Sequence, residues 1–216
     1  MKKISLMLTV IFLAGISQAE VKTQKYKVTF TNNWTRMAHL GLPGNAHFSP
    51  VVAATHDGQY DLLPIGSVAD KALEQVAELG RQGDLNKEVE AQIEEGHALD
   101  LVNTENMFLN QASSQTFEIV VSNKHEYLSF VSMIAPSPDW VVGLSNLKLH
   151  SEKDGFYPGV ENQPLYAINA GTEEGDRGGN FSLNNRPTSP QTPIQILTGR
   201  GFEAPFAFVS ITPLAE

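Results

Sequence analysis

Ser129-Phe130-Val131-Ser132-Met133-Ile134-Ala135-Pro136-Ser137-Pro138-Asp139-Trp140 is the stretch around which the chain is organised. From Tyr127 to Ile134 it is apolar on both faces, as in a strand in the middle of a packed sandwich rather than at a wet edge. Pro136 and Pro138 then restrict the backbone before Asp139 and lower the entropy lost when that carboxylate is fixed. A second segment, Asn169-Ala170-Gly171-Thr172-Glu173-Glu174-Gly175-Asp176, carries further side-chain oxygens. A calcium ion takes six to eight oxygens, so loops from neighbouring strands must converge on it. Asp139 and the segment from Asn169 to Asp176 meet that need if the strands ending at Ala135 and Ile168 lie side by side. On pattern alone a plainer reading is equally good: an Asp after Pro caps turns, and Gly-rich acidic loops are commonly only solvated.

Working outward, Lys25 to Thr31 alternates, with Tyr26, Val28 and Phe30 on one face, the period of a half-buried strand. Asn32-Asn33-Trp34 ends the alternation, and the stretch from Thr35 to Gly44 is a weak candidate for the strand's hairpin partner. Ser67 to Asp70 opens a helix, with Ser67 as N-cap and Asp70 in the capping-box position. Ala69, Leu73, Val76 and Ala77 share one face, Glu74, Glu78 and Arg81 the other, and Gly80 and Gly83 stop it. Asp84 caps a second short helix in which Leu85, Val89 and Ile93 align, ending at Gly96. Strands are expected over Thr116–Val121, Val141–Leu149 with a bend at Gly143, and Leu165–Ile168. Ile194–Leu197 and Pro205–Ile211 follow as two closing strands joined by a turn at Thr198 to Gly201. The fold class is therefore mainly β, an antiparallel β-sandwich of about eight strands with a short helical insertion.

The first nineteen residues read as a leader. Lys2 and Lys3 precede an apolar run from Ile4 to Ile16, and Ser17-Gln18-Ala19 places small residues where a signal peptidase cuts. The expected organisation is a signal peptide over 1–19, cleaved after Ala19, and one domain over 20–216, secreted or periplasmic. The apolar run is shorter than the ~20 residues that span a bilayer, so no transmembrane segment is expected. The formal charge is −9, or −11 without the two leader lysines. Such acidity repels nucleic acid and makes any membrane contact depend on a bridging cation. With no cysteine, an exported chain of this length must be held by packing, and by a metal if one binds.

Catalytic signatures are missing from the sequence: no cysteine nucleophile, no Gly-x-Ser-x-Gly elbow, no His-Glu-x-x-His helix. His39, His47 and His56 lack zinc spacing and read as hydrogen-bonded structural residues. Glu88, Glu90, Glu94 and Glu95 read as a solvated helix face. Asp139 with Glu173 imitates a glycosidase pair, which keeps a carbohydrate hydrolase as an alternative; a purely structural envelope or matrix role is another. The first reading is no enzyme.

At these residues the chain resembles the spondin domain, the N-terminal module of F-spondin and mindin that also occurs in exported bacterial proteins. The matching pieces are Tyr26 to Asn33 with Trp34, His47-Phe48-Ser49-Pro50 with Ala54-Thr55-His56, Ala77-Glu78-Leu79-Gly80, Ser129 to Val142, and Ala170-Gly171-Thr172-Glu173. The resemblance implies an eight-stranded sandwich, similar to the calcium-dependent membrane-binding sandwiches, with a cation at one end and a role in cell adhesion or an extracellular matrix, with a protein or glycan as ligand. It places metal carboxylates on Asp139, on Asn169 where an Asp is usual, and on Glu173. Asn169 keeps an oxygen but removes a negative charge and weakens the site; Glu174 or Asp176 would compensate.

Overall fold

In chain order the strands are β1 (Thr23–Asn32), β2 (His47–Phe48), β3 (Val52–His56), β4 (Ala98–Asn103), β5 (Met107–Phe108), β6 (Ser114–Ser122) and β7 (Tyr127–Ala135). They continue as β8 (Trp140–Lys148), β9 (His150–Ser151), β10 (Gly155–Phe156), β11 (Val160–Leu165), β12 (Ile168–Asn169), β13 (Gln195–Ile196) and β14 (Ala207–Pro213), with helices α1 (Lys71–Leu79) and α2 (Gly83–Glu95) between β3 and β4. This computed structural model describes residues 20–175, 178–183 and 186–215; the leader expected over 1–19 lies outside them.

Two antiparallel sheets face each other. One runs β11-β14-β1-β6; the other runs β13-β12-β8-β7, with β2 and β3 sharing the far edge of β7 and pairing onward to β5 and β4. Between them, Tyr26, Val28, Phe30, Phe117, Val209 and Ile211 of the first sheet meet Phe48, Phe130, Ile134, Trp140 and Val142 of the second. Phe30 packs edge-on against Phe48 and Phe130, with centroids 5.0 and 6.2 Å apart. Each such ring stabilises the fold by roughly 1.5–3 kcal/mol through burial alone.

The first sheet alternates cleanly because its other face is wet, as in the e-B-e-B pattern along β1. The second does not. Its outer face carries Val52, Ala54, Val131, Val141 and Ile168, and these are covered by Leu73, Val76 and Ala77 of α1 and Leu85 and Val89 of α2. The molecule therefore has three layers, helices on sheet on sheet. The double-sided apolar character of β7 comes from α1 on one side and the opposing sheet on the other.

Several expectations are corrected. Residues 33–44 form no strand; β1 pairs instead with β14 and β6. Helix α1 starts at Lys71, and Asp70 is its N-cap, its carboxylate accepting from the Leu73 N–H at 2.8 Å. Asp84 does not cap α2, which starts at Gly83 behind Gln82. The expected strand at Leu165–Ile168 is two: β11 belongs to the first sheet and β12 to the second, the chain crossing over at Tyr166 and Ala167. For the same reason β13 and β14 are not partners, since β13 pairs with β12 and β14 with β1 and β11.

Candidate metal centre

Strand pairing assembles the site. β8 begins at Trp140, directly opposite Asn169 of β12, so Asp139 and Ala170 leave the sheet together. The Ala170 N–H donates to the Asp139 carbonyl at 3.1 Å and continues the ladder by one rung. Before it, the Ser137 hydroxyl accepts from the Trp140 N–H at 3.1 Å and tightens the proline loop. The loop from Gly171 to Glu174 is held on its far side: Thr192 N–H donates to Gly171 O at 2.9 Å, Thr188 N–H to Thr172 O at 2.8 Å, and Glu174 N–H to Arg186 O at 2.9 Å. Gly171 is required there. Its φ is +76°, and a Cβ would sit 2.1 Å from the Thr192 carbonyl oxygen.

Asp139 is fully buried and its two oxygens have different fates. Oδ2 accepts from the backbone N–H groups of Thr172 at 2.8 Å and Glu173 at 3.1 Å, with the Thr172 hydroxyl at 3.4 Å. Oδ1 is buried without a hydrogen-bond partner among the described residues, and so is Oε2 of Glu173, which is 6 % exposed. Asn169, also 6 % exposed, turns its Oδ1 back onto the Gly171 N–H. Burial pushes the Asp139 carboxyl up from its ordinary value, against the pull of the backbone N–H groups of Glu173, Thr172 and Gly171. Burial, followed by the nearby charges of Glu78, Asp139 and Glu74, pushes Glu173 up to about 7.

The sequence reading missed Glu74 and Glu78. It placed both on a solvated face of α1, but that flank overlooks the loop. Glu78 is itself pushed up, first by burial and then by Glu74 and Asp139, while a hydrogen bond with the Thr172 side chain opposes the shift. Glu74 pairs with Lys71 and accepts from Gln191 Nε2 at 3.1 Å. The signal that pointed to them was their i, i+4 spacing directly before Gly80, which ends the helix at this end of the sandwich.

Of the expected ligands, the structure brings Asp139, Asn169 and Glu173 together; Asp176 lies outside the described residues. Among the described residues no group of three or more His, Asp or Glu side chains is placed to hold a metal, so the site has two carboxylates and one amide. Two buried oxygens lacking hydrogens to accept are what a hard cation satisfies, and in that respect the donor set fits. Trp140 follows Asp139 directly but faces away into the core. Its ring lies in the sandwich core, edge-on to Phe202 and Phe181 at 5.0 and 5.6 Å.

The histidines are engaged elsewhere. His39 Nε2 meets the Pro205 carbonyl at 3.3 Å, and His47 Nδ1 meets the Asn45 carbonyl at 2.8 Å. His56 Nδ1 accepts from the Gly58 N–H at 3.2 Å, so its proton is on Nε2 and is donated to the Ser129 hydroxyl at 2.9 Å. In that tautomer His56 is no base for Ser129, and the buried pair fastens β3 to β7.

A family model described as Spondin_N matches residues 24–209. The chain is 33 % identical to Spondin-1 of Xenopus laevis and of Homo sapiens over 183 residues, 82 % of this chain and 22 % of theirs. It is 31 % identical to Spondin-2 of Homo sapiens over 179 residues, 81 % of this chain and 52 % of that one. It thus spans about a fifth and about half of these relatives. Among the described residues no helix is long and apolar enough to cross a membrane. With the matched region running from β1 to the middle of β14, through both loops of the centre, the chain belongs to the spondin N-terminal domain family.

Proposed function

We propose that the protein is an exported binding module of spondin type whose ligand-facing loops are stabilised by a cation, calcium by the chemistry of its oxygens. The observation that carries this reading is the pair of buried carboxylate oxygens, Asp139 Oδ1 and Glu173 Oε2, that have no partner among the described residues. Leaving two such atoms without a partner costs several kcal/mol, on the order of 1–3 each and more when ionised. Asp139, Glu173 and the amide oxygen of Asn169 would hold the ion, which when bound supplies the positive charge that lets both carboxylates ionise. The chain's own contribution is to fix Asp139 through the Thr172 and Glu173 N–H groups, so that the loops from β7–β8 and β12–β13 are tied to one point.

Burial supports a binding role over a hydrolase. A glycosidase needs its two carboxyl groups in an open cleft, about 5–10 Å apart, with room for a sugar ring. Asp139 and Glu173 are 0 % and 6 % exposed, and one oxygen of Asp139 is committed to backbone donors. The ligand of the module is an extracellular protein or glycan, and an array of both probed with calcium and with EDTA identifies which.

The cation is tested by thermal unfolding in EDTA and in millimolar calcium. Calcium raises the melting temperature of the native chain, and Asp139→Asn, which keeps an acceptor for Thr172 but loses the charge, removes that rise. An equal melting temperature in both buffers for the native chain sinks the reading.

A further inference from the structure

A second feature lies beside this centre and uses none of its ligands. At its C-terminus α1 approaches the β2–β3 connection so closely that a Cβ on Gly80 would lie 3.0 Å from Cβ of Ser49. Gly80 takes the left-handed conformation, φ +63°, and the Arg81 N–H returns to the Gln75 carbonyl at 3.1 Å, turning the chain out towards α2. Between this turn and the ends of β2 and β7 is a cleft of about 380 Å³. Leu79, Met133 and Pro136 contribute apolar wall, His47 and Gln82 polar wall, and Arg81 its charge.

Three observations give the cleft a chemistry. First, no Asp or Glu among the described residues lines it, although the chain as a whole carries 24 acids against 15 Lys and Arg. Second, Arg81 is exposed, and among the described residues its guanidinium meets no carboxylate and its five donors are uncommitted. Third, Gln82 Nε2 is buried without an acceptor among them, a donor whose desolvation nothing yet offsets. His47 is held still by its bond to the Asn45 carbonyl and by the Phe108 ring at 4.8 Å, so its wall is rigid.

From these we infer that the cleft is a binding site for a small carboxylate whose body has an apolar face: the acid group pairs with the Arg81 fork and the Gln82 amide, and the body lies on Leu79, Met133 and Pro136. A planar carboxylate matches guanidinium geometry, and a volume of this size suits a monosaccharide or a short acyl chain. Both an acidic sugar and a short-chain fatty acid present this chemistry.

Binding is read by amide chemical shifts of the full mature chain titrated with D-glucuronate, hexanoate and, as the uncharged control, glucose. Every titration is run in EDTA and again in calcium, so that the result does not depend on the cation centre. The amides of Leu79 to Gly83, Met133 and Ala135 shift saturably with at least one carboxylate, with a dissociation constant on the order of 1 mM, and not with glucose. Which carboxylate binds tells the sugar source from the acyl source. Arg81→Ala removes only an exposed, unpaired side chain, so the spectrum elsewhere is unchanged while affinity falls at least about tenfold. The inference is overturned if neither carboxylate shifts these amides saturably, or if Arg81→Ala binds as tightly as the native chain.

Discussion

Asp139 and Glu173 hold opposite relations at once: the Glu173 N–H donates to Asp139 Oδ2 at 3.1 Å, while the two carboxylates repel each other, and burial, then Glu78, then this repulsion push Glu173 up to about 7. The backbone bond pins the second loop to the first. The repulsion makes that pinned arrangement costly whenever both groups are ionised and nothing positive lies between them.

A pH dependence of stability follows in EDTA. Glu173 in the unfolded chain titrates near its ordinary 4.5, in the folded chain near 7. The folded state thus binds the proton more tightly, and stability is highest where Glu173 is protonated in both states. It is lost progressively as pH rises from about 4.5 to 7, by roughly 1–3 kcal/mol, and then levels off. Asp139, shifted in the same direction by burial, adds to the fall. Urea denaturation at a series of pH values shows this slope, and Glu173→Gln flattens most of it. A native chain whose stability does not decline across this range contradicts the assignment.

Calcium binding carries the opposite dependence. The ion needs the ionised carboxylates, so it must displace the proton that Glu173 holds near neutrality. Calorimetry at pH 6.5 in buffers of different ionisation heat reports up to about one proton released per ion, and affinity falls as pH is lowered from 8 to 6. Proton release near zero at this pH would remove Glu173 from the ligands.

Much of this was legible in the sequence, and the gaps have physical causes. β1, β6, β7 and β14 were visible because two-residue periodicity, or its loss in a doubly covered strand, is a local property. The crossing of the chain between sheets at Tyr166 and Ala167 was not, because those residues continue the apolar run on either side of them. Asp139 and the loop after Asn169 could be named as candidates, but their adjacency rests on Trp140 pairing with Asn169, a contact across 29 residues that no local pattern encodes. Glu78 was placed in solvent by helical periodicity, which tells which face of α1 is apolar and says nothing of what overhangs its flank.

Glu78 gives the third prediction. Its charge is among those that raise Glu173, and Asp139 and Glu74 raise it in turn. Glu78→Gln removes one member of this group, so the Glu173 carboxyl falls towards its ordinary range and stability in EDTA at neutral pH rises by about 0.5–1 kcal/mol. Calcium affinity drops a few-fold, since the field drawing the cation weakens, and the difference shrinks in 0.5 M salt as screening grows. Carboxyl chemical shifts of Glu173 measure the first effect; an unmoved titration curve would separate Glu78 from the centre.

The Asn169 position tests how charge count sets affinity. Asn169 already presents an oxygen, the one that accepts from the Gly171 N–H, and Asp keeps that acceptor while adding a charge. Asn169→Asp therefore tightens calcium binding by about tenfold, or 1.4 kcal/mol, and destabilises the chain in EDTA, where three buried carboxylates then face each other. The gap between melting temperatures with and without calcium widens from both ends. An affinity unchanged by the substitution shows that Asn169 does not reach the ion.

Gly171 links the centre to the backbone that carries it. Two glycines share the left-handed conformation and differ in surroundings: Gly171 at φ +76° faces the Thr192 carbonyl, whereas Gly199 at φ +92° has open space where a Cβ would be. Gly199→Ala bears only the conformational strain, about 1 kcal/mol, and leaves the calcium response intact. Gly171→Ala bears the same strain and must also push Thr192 away, which breaks the bond from the Thr192 N–H to the Gly171 carbonyl. It destabilises by about 2–3 kcal/mol in total and shifts Thr172 and Glu173 off Asp139, so the calcium-dependent rise in melting temperature is lost with it. Measured side by side, the two variants separate backbone strain from loop placement. Should Gly171→Ala lose stability yet keep the full calcium response, the loop is not what positions Glu173.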